Sequence, residues 1–143
     1  MKYTINIDRE RDEEVVIFAH ERNELIERIE AILQDAPGEL LGYGEGEIVR
    51  IEPARVDCFT VEDGRVYAVT DGGRYQLKLR LYQVEACLGS GFVKINQSCI
   101  VNVSRIKSFK TSLGGSLMVT LKGGYRDYVS RRQLKTVKER IGL

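Results

Sequence analysis

Residues 91–106 read GFVKINQSCIVNVSRI, and the way this stretch is read decides the fold class. Phe92, Val93, Ile95, Ile100, Val101 and Val103 are β-branched or aromatic, residue types that suit a pleated, half-buried surface. Lys94, Asn96, Gln97 and Ser98 interrupt that apolar character midway. The interruption places a cation, two side-chain amides and a hydroxyl at the mouth of a strand pair. Such groups suit the reading of hydrogen-bonding edges rather than the breaking of bonds. A plain polar turn between two strands accounts for the same residues equally well.

The flanking segments extend the β pattern in both directions. Upstream, residues 48–51 and 55–61 read as strands separated by Pro53, which cannot sit inside a paired central strand. The glycines of residues 39–47 lack the Lys-Ser/Thr of a phosphate-cradling loop and read as a turn or hairpin. Glu62-Asp63-Gly64-Arg65 and Asp71-Gly72-Gly73 are turn signals, with strands over 66–70 and 74–79. Leu81, Val84, Glu85 and Leu88 have the spacing of a short amphipathic helix that ends near Gly89-Ser90-Gly91. Downstream, residues 106–109, 117–121 and 125–129 are strand candidates joined by glycine pairs. Ser130 is placed to cap a last helix over 131–141, with Leu134, Val137 and Ile141 inside and Arg131, Arg132, Lys135, Lys138 and Arg140 outside.

The first residues read differently. Tyr3, Ile5 and Ile7 alternate with polar residues as in a strand, residues 8–14 form an acidic turn, and residues 15–18 are a second apolar run of strand length. From 21 to 34, Leu25, Ile26, Ile29, Ile32 and Leu33 line one helical face, and Pro37-Gly38 predicts the stop. Residues 1–44 are therefore expected as an acidic strand-strand-helix segment for packing or self-association.

With 143 residues the chain has the size of one domain plus a short appendage. The formal net charge of +1 hides a division: residues 1–54 hold 6 Lys+Arg against 14 Asp+Glu, and residues 55–143 hold 16 against 7. Residues 92–143 alone hold 11 basic and 2 acidic residues, which points to a polyanion-binding end. Cys58, Cys87 and Cys99 are odd in number and show no C-x-x-C spacing, so they read as small buried hydrophobes rather than metal or disulfide ligands. The single histidine, His20, is expected on the surface near a helix start. No nucleophile, base and orienting acid stand together, so an enzyme is not expected, and neither is a cofactor or metal. The N-terminal residues turn charged before any apolar run develops, and no window has the length of a membrane span. A cytoplasmic protein without membrane insertion is the expectation.

FVKINQSCIVNVSRI, the glycine-linked strands after it, and YVSRRQLKTVKERI together resemble the LytTR-type DNA-binding domain of bacterial transcription regulators. VDCFTVEDGRVYAVTDGGRYQLKLRLYQVEACL fits the strand, turn, strand and short-helix lead-in of that family, so the resemblance runs from about residue 45 to 143. It implies an α+β, mainly antiparallel β fold, elongated and built of more than one sheet, that is not a helix-turn-helix. It also implies a regulator that enters successive major grooves of double-stranded DNA, bound as a homodimer on repeated half-sites.

By family position Gln97 and Arg132 are the implied base readers, with Asn96 beside them and Arg65 contributing from the turn before Val66. An amide can pair with adenine and a guanidinium with guanine. Lys94, Ser98, Lys107, Arg131 and Lys135 are the implied phosphate contacts. The chain departs from many members in carrying Asn96-Gln97 where they have a histidine followed by a basic residue or amide, and Cys99 where they have an aromatic. The segment ahead of the domain is too short for a phosphorylatable receiver. Two other functions fit the composition: a single-stranded RNA or DNA module stacking bases on Phe92, Phe109, Tyr125 and Tyr128, and a protein-interaction module.

Overall fold

Strand β3 (Val56–Glu62) is the axis of the molecule, because its residues from Val56 to Thr60 are all buried. A strand covered on both faces needs layers on each side, and the computed structural model, which describes residues 2–33 and 39–143, supplies them. β3 lies in a seven-stranded antiparallel sheet with β1 (Leu40–Gly44), β2 (Glu47–Ile51), β4 (Arg65–Thr70), β5 (Gly73–Leu77), β6 (Phe92–Asn96) and β7 (Cys99–Asn102). The strand order is β2-β1-β5-β4-β3-β7-β6. A second sheet, β10-β9-β8, is formed by β8 (Ile106–Thr111), β9 (Leu117–Leu121) and β10 (Arg126–Val129).

Side-chain alternation along β3 splits the interior into two cores. Phe59 and Val56 join Val66, Ala68, Leu77 and Ile100 under helix α2 (Leu81–Cys87), whose Leu81 and Val84 are buried there. Cys58 points the other way, into a cluster with Val93, Ile95, Val101, the β9 residues Leu117, Val119 and Leu121, and Val137 of helix α3 (Leu134–Ile141). A register shift between Val56 and Cys58 puts Val56 and Phe59 on the same face, the effect of an added residue in one strand. Asp57 sits at that bulge, fully buried. Its carboxylate accepts from Arg105 Nε at 2.7 Å and from the Gly123 N–H at 2.9 Å, tying the first sheet to the second.

The turn signals fold as expected. Asp63 and Gly64 both have positive φ, 51° and 74°, the pair of left-handed residues that a two-residue hairpin turn requires. The hairpin read over 39–47 is β1 turning into β2, and β1 pairs with β5, so the main sheet begins ahead of residue 45. Pro53 opens a short 3-10 turn, Pro53–Arg55, between β2 and β3. Cys58 and Cys99 are buried, Cys87 is half-buried, and none of the three is in a disulfide among the described residues. No helix among the described residues is long and apolar enough to cross a membrane.

Two expectations are corrected. The N-terminal strands over 3–7 and 15–18 do not form: these residues are irregular, and Tyr3, Ile7 and Phe18 are 86%, 88% and 93% exposed. Alternation prepares a strand but does not complete one, because its N–H and C=O groups need a neighbour and its apolar face needs a cover. Every strand of the two sheets lies between Leu40 and Val129, and none pairs with these residues. The final helix begins at Leu134 rather than 131, with Gln133 instead of Ser130 at its N-cap. The Ser130 N–H is drawn to the Ile95 carbonyl at 2.8 Å, which keeps the chain extended past β10 and leaves residues 131–133 in a turn.

The expected first helix is present as α1 (Glu24–Leu33), capped by Asn23, whose Oδ1 accepts from the Ile26 N–H at 3.0 Å. Gln34 and the Pro37-Gly38 stop lie outside the described residues. Only Ile26 and Ile29 of its apolar face are half-buried, and Leu25, Ile32 and Leu33 stay exposed. His20 is exposed just ahead of it.

Candidate nucleic-acid interface

β6 is an edge strand, and an edge strand's outward backbone groups demand partners. The segment after β10 provides them. The Ser130 N–H takes the Ile95 carbonyl, and the Arg140 guanidinium of α3 donates to the carbonyls of Ser90 and Phe92, the latter at 3.0 Å. Arg140, expected on the outside, thus anchors α3 to the edge. These bonds hang the turn over residues 131–133 beside the β6–β7 hairpin.

The hairpin tip is set by Asn96. Its Nδ2 donates to the Tyr128 carbonyl and its Oδ1 accepts from the Ser98 N–H, both at 2.8 Å. Both ends of this amide serve the fold, so Asn96 positions Gln97 and Ser98, which are exposed at the tip. Gln97 therefore presents its amide to solvent, and Arg131 and Arg132 are exposed on the adjoining turn.

One open cleft of about 690 Å³ is lined by Lys94 and Gln97 from the hairpin, by Ser130 to Gln133 from the turn, and by Asn23, Glu24, Leu25 and Arg28 from α1. The structure thereby brings together Lys94, Gln97, Arg131 and Arg132, which are separated in sequence. Arg65 is exposed at the start of β4. Its turn shares an end of the sheet with the Gln97 turn, since the Val61 N–H donates to the Ser98 carbonyl at 2.9 Å. Lys135 is exposed in the first turn of α3. Lys107 stands apart: it follows Ile106, which pairs with Leu121, whereas Ser130 follows Val129 at the opposite end of β9, paired with Leu117.

Two members of the cleft, Glu24 and Arg28, were not legible as site residues, because nothing local in a helix pattern reports a contact with a strand so distant in sequence. Lys94 Nζ donates to Glu24 Oε1 at 3.0 Å, and the Lys94 side chain is only 16% exposed. The hydrogen bond and charge of Lys94, helped by Arg28 and Arg132, hold the Glu24 carboxyl below its ordinary range against the opposing effect of burial. Arg28 is ion-paired with Glu85 of α2.

The aromatic residues that a base-stacking module would use are mostly committed to packing. Phe92 lies 6.0 Å from Phe59 between ring centroids, Phe109 packs on the second core, and the Tyr125 hydroxyl is 2.9 Å from Thr60 Oγ1. Tyr128 alone of the four is exposed.

A family model described as the LytTr DNA-binding domain matches residues 46–142. An uncharacterized HTH-type transcriptional regulator of Staphylococcus aureus strain MSSA476 is 33% identical over 146 residues, covering 100% of this chain and 99% of the relative. A second, from strain NCTC 8325 / PS 47, is 38% identical over 104 residues, covering 73% of this chain and 71% of the relative. Among solved structures, a LytTr DNA-binding domain from Bacillus cereus has the same fold, with a TM-score of 0.68 at 19% identity over 73% of this chain and 97% of that one. The helix-turn-helix label of the relatives does not describe the matched region here, in which α2 and α3 are separated by five strands.

Proposed function

The chain belongs to the LytTr DNA-binding domain family, and we propose that it is a cytoplasmic transcriptional regulator that reads double-stranded DNA by sequence through the edge formed by the β6–β7 tip and the turn before α3. The observation that carries the reading is the convergence of Gln97, Arg131 and Arg132 on one exposed cleft, held there by the Ser130 N–H on Ile95 and by the Asn96 and Arg140 side chains bonded to backbone. The major groove is about 12 Å wide and admits a two-stranded ribbon tip. Gln97 is suited to the N6 and N7 edge of adenine and Arg132 to the O6 and N7 edge of guanine. Arg65 reaches DNA from the neighbouring turn. Arg131, Lys94, Ser98 and Lys135 are assigned to phosphates, which set register and affinity without carrying sequence information. Asn96 is assigned to positioning, and Lys107 falls outside this edge.

The test contrasts two cations on duplexes selected by the chain from a random pool. Arg132→Ala should cost about 1–3 kcal/mol on the selected duplex and relax preference at one base pair. Lys135→Ala should weaken selected and random duplexes alike and reduce the salt slope by roughly one phosphate contact. Equal losses on both duplexes for Arg132→Ala would remove its role as a reader.

The DNA-bound species is proposed to be a homodimer on repeated half-sites. Support for self-association comes from the exposed apolar residues Tyr3, Ile5, Ile7, Val15, Val16 and Phe18, a concentration that marks interaction surfaces. Sedimentation should find two chains per selected duplex. A single chain both free and on DNA sinks this part of the reading.

A further inference from the structure

The acidic helix α1 occupies the same cleft as the proposed base readers. Asn23, Glu24 and Leu25 line it opposite Gln97 and Arg132, and the Glu24 carboxylate holds the ammonium group of Lys94. A carboxylate and a DNA phosphate are alternative anions for one lysine, and the side chain of Lys94 is only 16% exposed with its ammonium group already on Glu24. We propose that α1 is a built-in competitor for DNA, seated along the cleft in the free chain and displaced when the duplex takes Lys94. This rests on the assignment of that edge to DNA.

The way α1 is held suits a displaceable cover. Its contacts with the rest of the chain include the half-buried Ile26 and Ile29 and two ion pairs, Glu24 with Lys94 and Arg28 with Glu85. Leu25, Ile32 and Leu33 contribute little, being 45%, 63% and 54% exposed. One partner of each pair is substantially exposed, Glu24 at 60% and Arg28 at 44%, and such pairs are weakened by salt and yield to a polyanion that offers many contacts at once. Once undocked, α1 has no reason to persist, since a 10-residue helix is marginal in water without tertiary packing. Its departure also relieves repulsion, because α1 carries the acidic Glu24, Glu27 and Glu30 against the single basic residue Arg28.

Hydrogen exchange on the full chain, with and without a duplex selected from a random pool, reads the displacement directly. At saturating duplex the amides of residues 27–33 should exchange about tenfold faster than in the free chain, while those of β6 and β7 exchange no faster. Glu24→Gln, which keeps shape and removes charge, should tighten binding several-fold. Amides of residues 27–33 that stay as protected on DNA, or a Glu24→Gln chain that binds no tighter, would overturn the proposal. Arg132→Ala measured in parallel separates the two levels. If it binds like the parent chain, the DNA edge itself is misassigned. If it binds weakly and α1 remains protected on DNA, only the competitor role fails.

Discussion

Phe59→Ala is expected to destabilise the fold by about 3–5 kcal/mol, the range for removing a large aromatic side chain from a packed interior. Phe59 is fully buried at the centre of β3, opposite Ala68 on β4 and Ile100 on β7. Small Ala68 leaves room for the ring, and the Phe92 ring meets it at a 48° tilt, so truncation opens a void that neighbours on well-paired strands cannot close. Native domains hold only about 5–15 kcal/mol in all, so the loss is a large fraction of the total. Urea titration should show a lower midpoint at an unchanged slope. A loss below about 1 kcal/mol would mean that the core over β3 can collapse around the vacancy, contrary to this packing. The folded fraction of the variant should still bind selected DNA, because Phe59 lies beneath the sheet and not at the Gln97 tip.

Features that depend on neighbours in sequence were legible; features that depend on distant partners were not. The Asp63-Gly64 turn follows from local chemistry, and the alternation of Val93 and Ile95 with Lys94 is a property of the strand itself. The same alternation at Tyr3, Ile5 and Ile7 misled, because a pattern does not say whether a partner strand exists. Ser130 has the chemistry of a helix cap, but its N–H is recruited by Ile95, a residue 35 positions earlier, and the helix starts later. At the site, family resemblance rather than periodicity singled out Gln97 and Arg132, and the structure brings them to one cleft. Asn96 and Gln97 are indistinguishable as amides in sequence. The Tyr128 carbonyl separates them by engaging one side chain and leaving the other free to face solvent.

Asp57→Ala is expected to cost roughly 2–4 kcal/mol, through loss of charge-assisted hydrogen bonds and the exposure of unpaired partners in a closed environment. The Asp57 side chain is only 1% exposed, and its two oxygens are shared between Arg105 and the Gly123 N–H. The pocket is closely fitted: a Cβ built on Gly123 would stand 2.5 Å from Asp57 Oδ2, so the β9–β10 turn accepts no side chain there while the carboxylate is present. Removing the carboxylate strands the Gly123 N–H and leaves Arg105 with Asp71 alone, an aspartate 72% exposed. This clamp joins β3 to the second sheet, and β10 of that sheet leads through Ser130 to Arg132. Loosening it should therefore act at a distance on DNA recognition. Asp57→Ala should lower the thermal midpoint and also weaken binding to the selected duplex at temperatures where the chain is still folded, whereas Phe59→Ala should leave binding per folded molecule intact. Should Asp57→Ala bind selected DNA normally per folded molecule, the two sheets do not need the clamp to place Arg132, and the bonds from Ser130 and Arg140 to β6 suffice to hold it.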